Sequence, residues 1–297
     1  MRKKVLALSI ALTFSTPILA ATLELDPPFG DANRIELTYT EFPSGDRALS
    51  ATLGAQPPAG STQIANVCEP EGGDPGIGNI ATVAGNSAHG DILAIICVYK
   101  MNHSGIGLAG TQFQAKVFER KGKTTLPLSS AEEPLSGFEG KSEDEEESFY
   151  FYKNPEIFKA KLKLVADGQQ SDSLELAHDV VLELLKRESA EAAGKYLSVQ
   201  RIDSLLQRTP LTGKNAALYN DLGYVLVEAD KMEQALAVLL PIEKVAPQRV
   251  PLYLNIADAY WPSEKDKAEA YYAKYQALMI DKKKKSLIPE RVKERTK

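Results

Sequence analysis

The sequence feature that most constrains this chain is an internal repeat between Ala216 and Ile280. Aromatic, aliphatic and small residues recur there with a period of about 34 residues. The repeated pairs are Tyr219 and Tyr253, Leu222 and Ile256, and Gly223 and Ala257. A period of this length is typical of two helices joined by a turn, which must stack on the next pair to bury their apolar faces.

The small residue of each repeat, Gly223 and then Ala257, allows the first helix of a pair to approach the second. Together with Ala235, Leu239 and Pro247, these residues resemble the tetratricopeptide repeat family. The resemblance covers about a quarter of the chain. It implies an α-helical array that presents a surface to other proteins and carries no chemistry of its own.

The resemblance also implies a set of partner-binding residues, because the first helix of each pair lines a concave groove in that family. The corresponding residues here are Asn220, Tyr224, Val227, Leu254, Asp258 and Trp261. Family members that clamp C-terminal carboxylates have Lys and Asn where this chain has Asn220 and Tyr224, so that ligand is not implied. An exposed Tyr224 or Trp261 would anchor an interface, whereas packing against the neighbouring helix is the alternative for both.

Helical patterns flank the repeat on both sides. Apolar periodicity predicts helices over Leu174–Arg187, Ala190–Ser198 and Ile202–Gln207, which would cover one end of the array. Pro289 opens a charged C-terminal helix typical of a terminal cap. The lysine cluster Lys282–Lys285 before it is either a solvated face or a docking site for an acidic partner or headgroups.

The N-terminus has the pattern of a secretory signal peptide over residues 1–21. The cationic stretch Arg2–Lys4 precedes the apolar run Val5–Phe14 and the small residues Ala20 and Ala21. The apolar run is too short to span a bilayer. We therefore expect a periplasmic or secreted chain, cleaved after Ala20 or Ala21, without stable membrane insertion.

Charge and cysteine content agree with export. The net charge is −5 and becomes more negative when the cations of the leader are removed, which argues against nucleic-acid binding. Two cysteines are present, Cys68 and Cys97. In an oxidising compartment they would form a disulfide worth about 3–4 kcal/mol; two separate buried thiols are the alternative.

The sequence from Thr22 to about Thr125 favours β-structure. Alternating apolar residues predict strands, and Ile92–Tyr99 is a continuous apolar run that predicts a strand covered on both faces at the centre of a sheet. Asn102–Gly110, with three glycines, predicts a hairpin connection to the next strand. The alternating segments are 34–42, 49–53, 61–68 and 112–118, with a shorter candidate at 80–84.

The remainder of this half contains a predicted loop over 122–141, a last strand over Phe149–Tyr152 and a helix over Asn154–Ala166. Asn154 is a helix cap with proline at the first helical position. The fold class predicted is α+β, a mainly antiparallel β domain with one helix followed by an α-helical array. The predicted boundaries are 22–166 for the β domain, 167–172 for a linker and 173–297 for the helical domain.

Candidate catalytic and metal sites are weak. Gly85–Gly90 resembles the nucleophile elbow, but His89 replaces its second glycine and a strand rather than a helix follows. A hydrolase using Ser87, His89 and an acid such as Asp91 is the enzymatic alternative. The acidic loop Glu69–Asp74 lacks the spacing of an EF-hand. We expect no catalytic residues, no metal and no cofactor.

These observations favour a non-enzymatic exported adaptor or scaffold that binds another protein of the cell envelope or periplasm through its helical groove. A narrower alternative is an immunity or inhibitor protein that occupies the active site of a secreted toxin or envelope hydrolase. The hydrolase through Ser87 and His89 is the third hypothesis.

Overall fold

The computed structural model describes residues 18–54, 61–87, 89–103, 105, 107–141, 147–187 and 189–296. Most of the predicted signal peptide lies outside these residues, as does most of the acidic run 143–147. The chain divides into two compact units, one ending at Glu147 and the other starting at Ser148. Helix 154–166 therefore belongs to the second unit, whereas the sequence placed the boundary at 167–172.

The first unit consists of antiparallel strands in two sheets, which confirms the mainly antiparallel β-structure predicted for this half. The first sheet has the order β1-β2-β3-β4 and the second the order β10-β9-β7-β6-β5, with β8 paired to β7. The strands are β1 (Ile18–Phe29), β2 (Ala32–Glu41), β3 (Arg47–Gly54), β4 (Ser61–Cys68), β5 (Gly76–Val83), β6 (Ile92–His103), β7 (Leu108–Lys121), β8 (Thr124–Pro127), β9 (Gly137–Lys141) and β10 (Glu147–Ser148).

The core of this unit lies between the two sheets. Leu93, Ile95, Cys97 and Tyr99 of β6 belong to one buried cluster with residues of β1 to β4. The intervening residues of the run 92–96 are also buried, on the opposite face of the strand. β6 is therefore covered on both faces, as its continuous apolar sequence predicted, and it lies between β5 and β7.

The predicted disulfide is confirmed. Cys68, the last residue of β4, is bonded to Cys97 in β6, and both residues are fully buried. The bond joins one sheet to the other through their shared core. Next to it, the hydroxyl of Tyr99 donates to the carbonyl of Glu69 at 2.8 Å.

Two predictions for this half need correction. Segment 122–141 is not simply a loop, since it contains β8, β9 and two short 3-10 turns. Phe149–Tyr152 is not a strand. Its rings pack by tertiary contact instead: Phe151 lies edge-on against Tyr196 with ring centroids 4.9 Å apart. Burial of aromatic rings does not require a sheet, so the aromatic run alone was an insufficient signal.

The second unit is helical, as predicted. Asn154 caps the first helix by accepting from the amides of Glu156 and Ile157, and Ser173 and Ser198 cap two others. The helices are α1 (Pro155–Ala166), α2 (Leu174–Lys186), α3 (Ala190–Tyr196), α4 (Val199–Arg208), α5 (Ala216–Glu228), α6 (Met232–Leu239), α7 (Ile242–Val245), α8 (Val250–Tyr260), α9 (Lys265–Asp281) and α10 (Glu290–Arg295).

The helices of the internal repeat pack as two consecutive pairs. α5 contacts α6, α8 contacts α9, and α8 also contacts both helices of the first pair. A Cβ added to Gly223 would lie 2.4 Å from a Leu239 methyl group. Gly223 therefore permits the close approach of α5 to α6, as the repeat spacing predicted. α2 and α3 also contact α5.

The close approach at Gly223 predicts the effect of adding one methyl group. Gly223→Ala should lower the free energy of unfolding by about 1–3 kcal/mol through overpacking against Leu239, although alanine has the better helix propensity. In a Leu239→Ala background the same change should cost nothing, because the space has been opened. Urea denaturation of the four chains tests this, and a Gly223→Ala chain more stable than the parent would contradict it.

Candidate functional site

The residues predicted to line the groove lie on α5, on α8 and just after α8, and they differ in exposure. The six are Asn220, Tyr224, Val227, Leu254, Asp258 and Trp261. Tyr224 is 41% exposed, and Val227 and Leu254 are half-buried. Asn220 is only 1% exposed, so its side chain is not available at the surface.

Asp221, the neighbour of Asn220, takes part in a polar contact that the sequence did not reveal. Its carboxylate lies 3.1 Å from Nε2 of His178 on α2 and 3.4 Å from Arg249, which immediately precedes α8. The amide of Asn220 also donates to it at 3.2 Å. The carboxylate of Asp221 on α5 therefore connects this helix to α2 and to the residue that precedes α8.

Asp258 forms the second polar contact on α8, and here the partner is the C-terminal helix α10. Its carboxylate accepts from Arg291 at 2.8 Å and from Arg295 at 3.1 Å. The hydroxyl of Tyr272 on α9 donates to the same carboxylate at 2.6 Å. Asp258 is thus held by three donors from two helices.

Aromatic rings surround this carboxylate. The Arg295 guanidinium lies 4.5 Å from the centroid of Trp261 and also donates to the Tyr272 hydroxyl. The two rings pack against each other with centroids 6.0 Å apart. Trp261 is therefore partly a packing residue, and its indole face contacts a cation.

The charge states follow from these contacts. Burial, followed by the hydrogen bond to Asp258, raises the pKa of Tyr272 to about 12, so the phenol stays neutral and donates at neutral pH. The hydrogen bond to Asp258 raises the pKa of Arg291 above its ordinary value. Burial, and next the charge of Glu228, raises the pKa of Tyr224, to which Arg291 and Asp258 are also close.

Tyr224, Glu228, Asp258, Trp261 and Tyr272 are hereafter called the acidic–aromatic surface. The sequence predicted three of these residues but not Glu228 or Tyr272, nor Arg291 and Arg295, which contact the surface. The missed signal was the spacing of the two arginines, which are four residues apart on one helix. They were interpreted only as part of a charged terminal cap.

A buried cluster around Asp172 is the other candidate for chemistry in this unit. The residue is 2% exposed, and its carboxylate accepts from Lys161 at 2.8 Å, Tyr152 at 2.8 Å, Tyr196 at 2.5 Å and Arg201 at 2.6 Å. Four donors saturate the carboxylate, so no position is left for a substrate. The arrangement is that of a structural ion-pair network joining α1, α3 and α4.

The network sets the protonation of its members. Burial opposes ionisation of Asp172, but the charge of Lys161 and hydrogen bonds from Lys161 and Tyr196 outweigh it, and its pKa lies below the ordinary value. Burial, and then the charge of Asp172, raises the pKa of Tyr152 and of Tyr196. At neutral pH the cluster is therefore one carboxylate, two neutral phenols and the cations Lys161 and Arg201.

The depressed pKa of Asp172 predicts a pH-dependent stability. The stabilisation that ionised Asp172 contributes should be fully present above about pH 5. It should be lost as the pH falls below about 4, the pKa of an aspartate in the unfolded chain. Asp172→Asn should cost about 3–5 kcal/mol at pH 7, because buried cations lose their partner. The difference from the parent chain should shrink between pH 5 and pH 3 in urea titrations.

The control for this experiment is Asp203→Asn, because Asp203 is exposed on α4, the helix that carries Arg201. It should change stability by no more than about 0.5 kcal/mol at any pH tested. A gap between the Asp172→Asn and parent chains that stays constant down to pH 3 would contradict the role assigned to the network.

The residues of the hydrolase alternative do not form a hydrogen-bonded chain. Nδ1 of His89 lies 3.1 Å from the buried carboxylate of Glu119, while Asp91 accepts from two glycine backbone amides at 2.8 and 2.9 Å. Ser87 is exposed, and in the described part of the chain no hydrogen bond joins it to His89. The predicted acid therefore holds a loop rather than orienting the histidine.

Among the described residues, no group of three His, Cys, Asp or Glu side chains could hold a metal ion. In the acidic loop, the carboxylate of Asp74 is paired with Arg47 at 2.5 Å. No helix within the described ranges is long and apolar enough to cross a membrane.

Comparison with known proteins adds no assignment. No protein-family model matches the chain, and no curated protein matches it in sequence.

Proposed function

We propose that this chain is an exported, non-enzymatic adaptor or scaffold that binds another protein through a tetratricopeptide-like helical array. The contact of Gly223 with Leu239 and the stacking of two consecutive helical pairs support an array of that kind. The partner is a protein of the cell envelope or periplasm.

The single observation that carries the proposal is the acidic–aromatic surface. It combines a large exposed aromatic side chain, Tyr224, with a carboxylate, Asp258, and a half-buried indole, Trp261. Tyr and Trp are the residues that most often dominate binding energy at protein interfaces, because they bury large areas at a low cost in side-chain entropy.

Export is supported by the disulfide between Cys68 and Cys97, since such bonds persist in oxidising compartments. Cleavage after Ala20 or Ala21 would remove the first residues of β1. Of the residues removed, Ile18 and Leu19 are more than half exposed, whereas Ala20 and Ala21 are partly buried against the core of the unit.

A site-specific cross-linking experiment tests the binding surface. A photoreactive benzophenone residue in place of Tyr224 should form a covalent product with a partner in living cells. The same residue in place of Val199, an apolar position on α4 that is 50% exposed, should not. Identical products from both positions would contradict a specific surface.

Once the partner is identified, Tyr224→Ala should weaken its binding by more than tenfold, because loss of an interface anchor commonly costs about 2 kcal/mol. The melting temperature of the Tyr224→Ala chain should equal that of the parent, since the Tyr224 side chain is exposed. Trp261→Ala should lower the melting temperature, because the indole packs against Tyr272 and Arg295. Unchanged affinity in the Tyr224→Ala chain would exclude this surface.

A further inference from the structure

The C-terminal helix α10 makes few apolar contacts with the rest of the second unit. Of its six residues, Val292 is fully buried, and Ile288, which lies two residues before the helix, is also buried. A helix of this length is not stable by itself in water. Its place in the structure therefore depends on the surface that receives it.

The remaining attachment is polar and partly solvated. The side chains of Arg291 and Arg295 are 47% and 27% exposed where they pair with Asp258. Ion pairs in contact with solvent contribute little to stability. α8 and α9 pack extensively against each other. Release of α10 would expose Val292 and break the contact of Arg295 with Tyr272; Val292 and Tyr272 are both fully buried while α10 is in place.

The surface that α10 covers is chemically a receptor for guanidinium groups. Asp258 supplies a carboxylate that accepts from both arginines, and Trp261 and Tyr272 supply aromatic faces for the cation of Arg295. The planar fork of arginine suits this combination better than the ammonium of lysine does. Tyr224 and Glu228 are exposed on α5, and the charges of Glu228, Arg291 and Asp258 all influence the pKa of Tyr224.

We propose that the acidic–aromatic surface recognises a basic helical segment of the partner, with two arginines four residues apart and an aliphatic residue beside the first. α10 presents this pattern in Arg291, Val292 and Arg295 and occupies the surface when the partner is absent. The inference rests on the proposed function, and it specifies the chemistry of the partner and the competition it must overcome.

A peptide with the sequence of residues 286–296, acetylated, amidated and fluorescently labelled, tests the inference by anisotropy. It is added to the full-length protein and to the full-length Arg291→Glu/Arg295→Glu chain, whose own helix can no longer pair with Asp258. The charge-matched control is Lys284→Glu/Lys285→Glu, which reverses two exposed lysines outside the surface.

The Arg291→Glu/Arg295→Glu chain should bind the peptide at least tenfold more tightly than the parent or control chain does. A further Asp258→Ala change should abolish that binding, and a peptide with lysine at both arginine positions should bind more weakly. Equal binding by all chains, or binding that survives Asp258→Ala, would overturn the inference.

Circular dichroism verifies folding first. If the charge-reversed chain is unfolded, Arg291→Gln/Arg295→Gln replaces it, with the same expected result. Failure of the peptide to bind while Tyr224→Ala still weakens partner capture would refute the basic-helix inference and leave the proposed function intact. Loss of both effects would refute the proposed function as well.

Discussion

The helical unit depends on the buried carboxylate of Asp172. A charge removed from water is stabilised only when nearly all its hydrogen-bonding positions are filled, and here four side chains fill them. Those side chains come from α1, α3, α4 and the aromatic segment before α1. The requirement to satisfy one charge therefore fixes the positions of elements separated along the chain. It also explains why α1 belongs to the helical unit rather than to the preceding sheets.

A similar arrangement recurs further along the chain at two carboxylates, both of which are more accessible to solvent than Asp172. Asp221 connects α2 to α5 and to the start of α8, and Asp258 connects α8 to α9 and α10. Asp172 is saturated and inaccessible, whereas the contacts of the other two carboxylates include partly exposed side chains. Since a solvated ion pair exchanges its partner more readily than a buried one does, Asp172 is confined to a structural role, whereas Asp258 can also serve in the recognition that we propose.

Most elements of the fold could be predicted from the sequence because local physics decides them. Alternation predicted most of the strands, the cap at Asn154 predicted α1, and Gly223 predicted the close approach of α5 to α6. The site was only partly predictable. Tyr224 and Asp258 were predicted from the resemblance to the tetratricopeptide repeat, whereas Tyr272 and Arg295 reach Asp258 through tertiary packing among α8, α9 and α10. The strand predicted over 149–152 was wrong for the same reason, since ring and hydroxyl contacts with residues distant in the sequence determine the conformation of this segment.

The two cysteines have a consequence for how this protein matures. Because the chain contains only Cys68 and Cys97, a single intramolecular pairing exists, and oxidation needs no subsequent reshuffling among alternative bonds. The competing product is a covalent link between two chains that meet before either has folded. The yield of correctly oxidised protein therefore depends on whether the sheets of one chain assemble before two unfolded chains meet. It should fall as the concentration of newly made chains rises, and it should not depend on an isomerase.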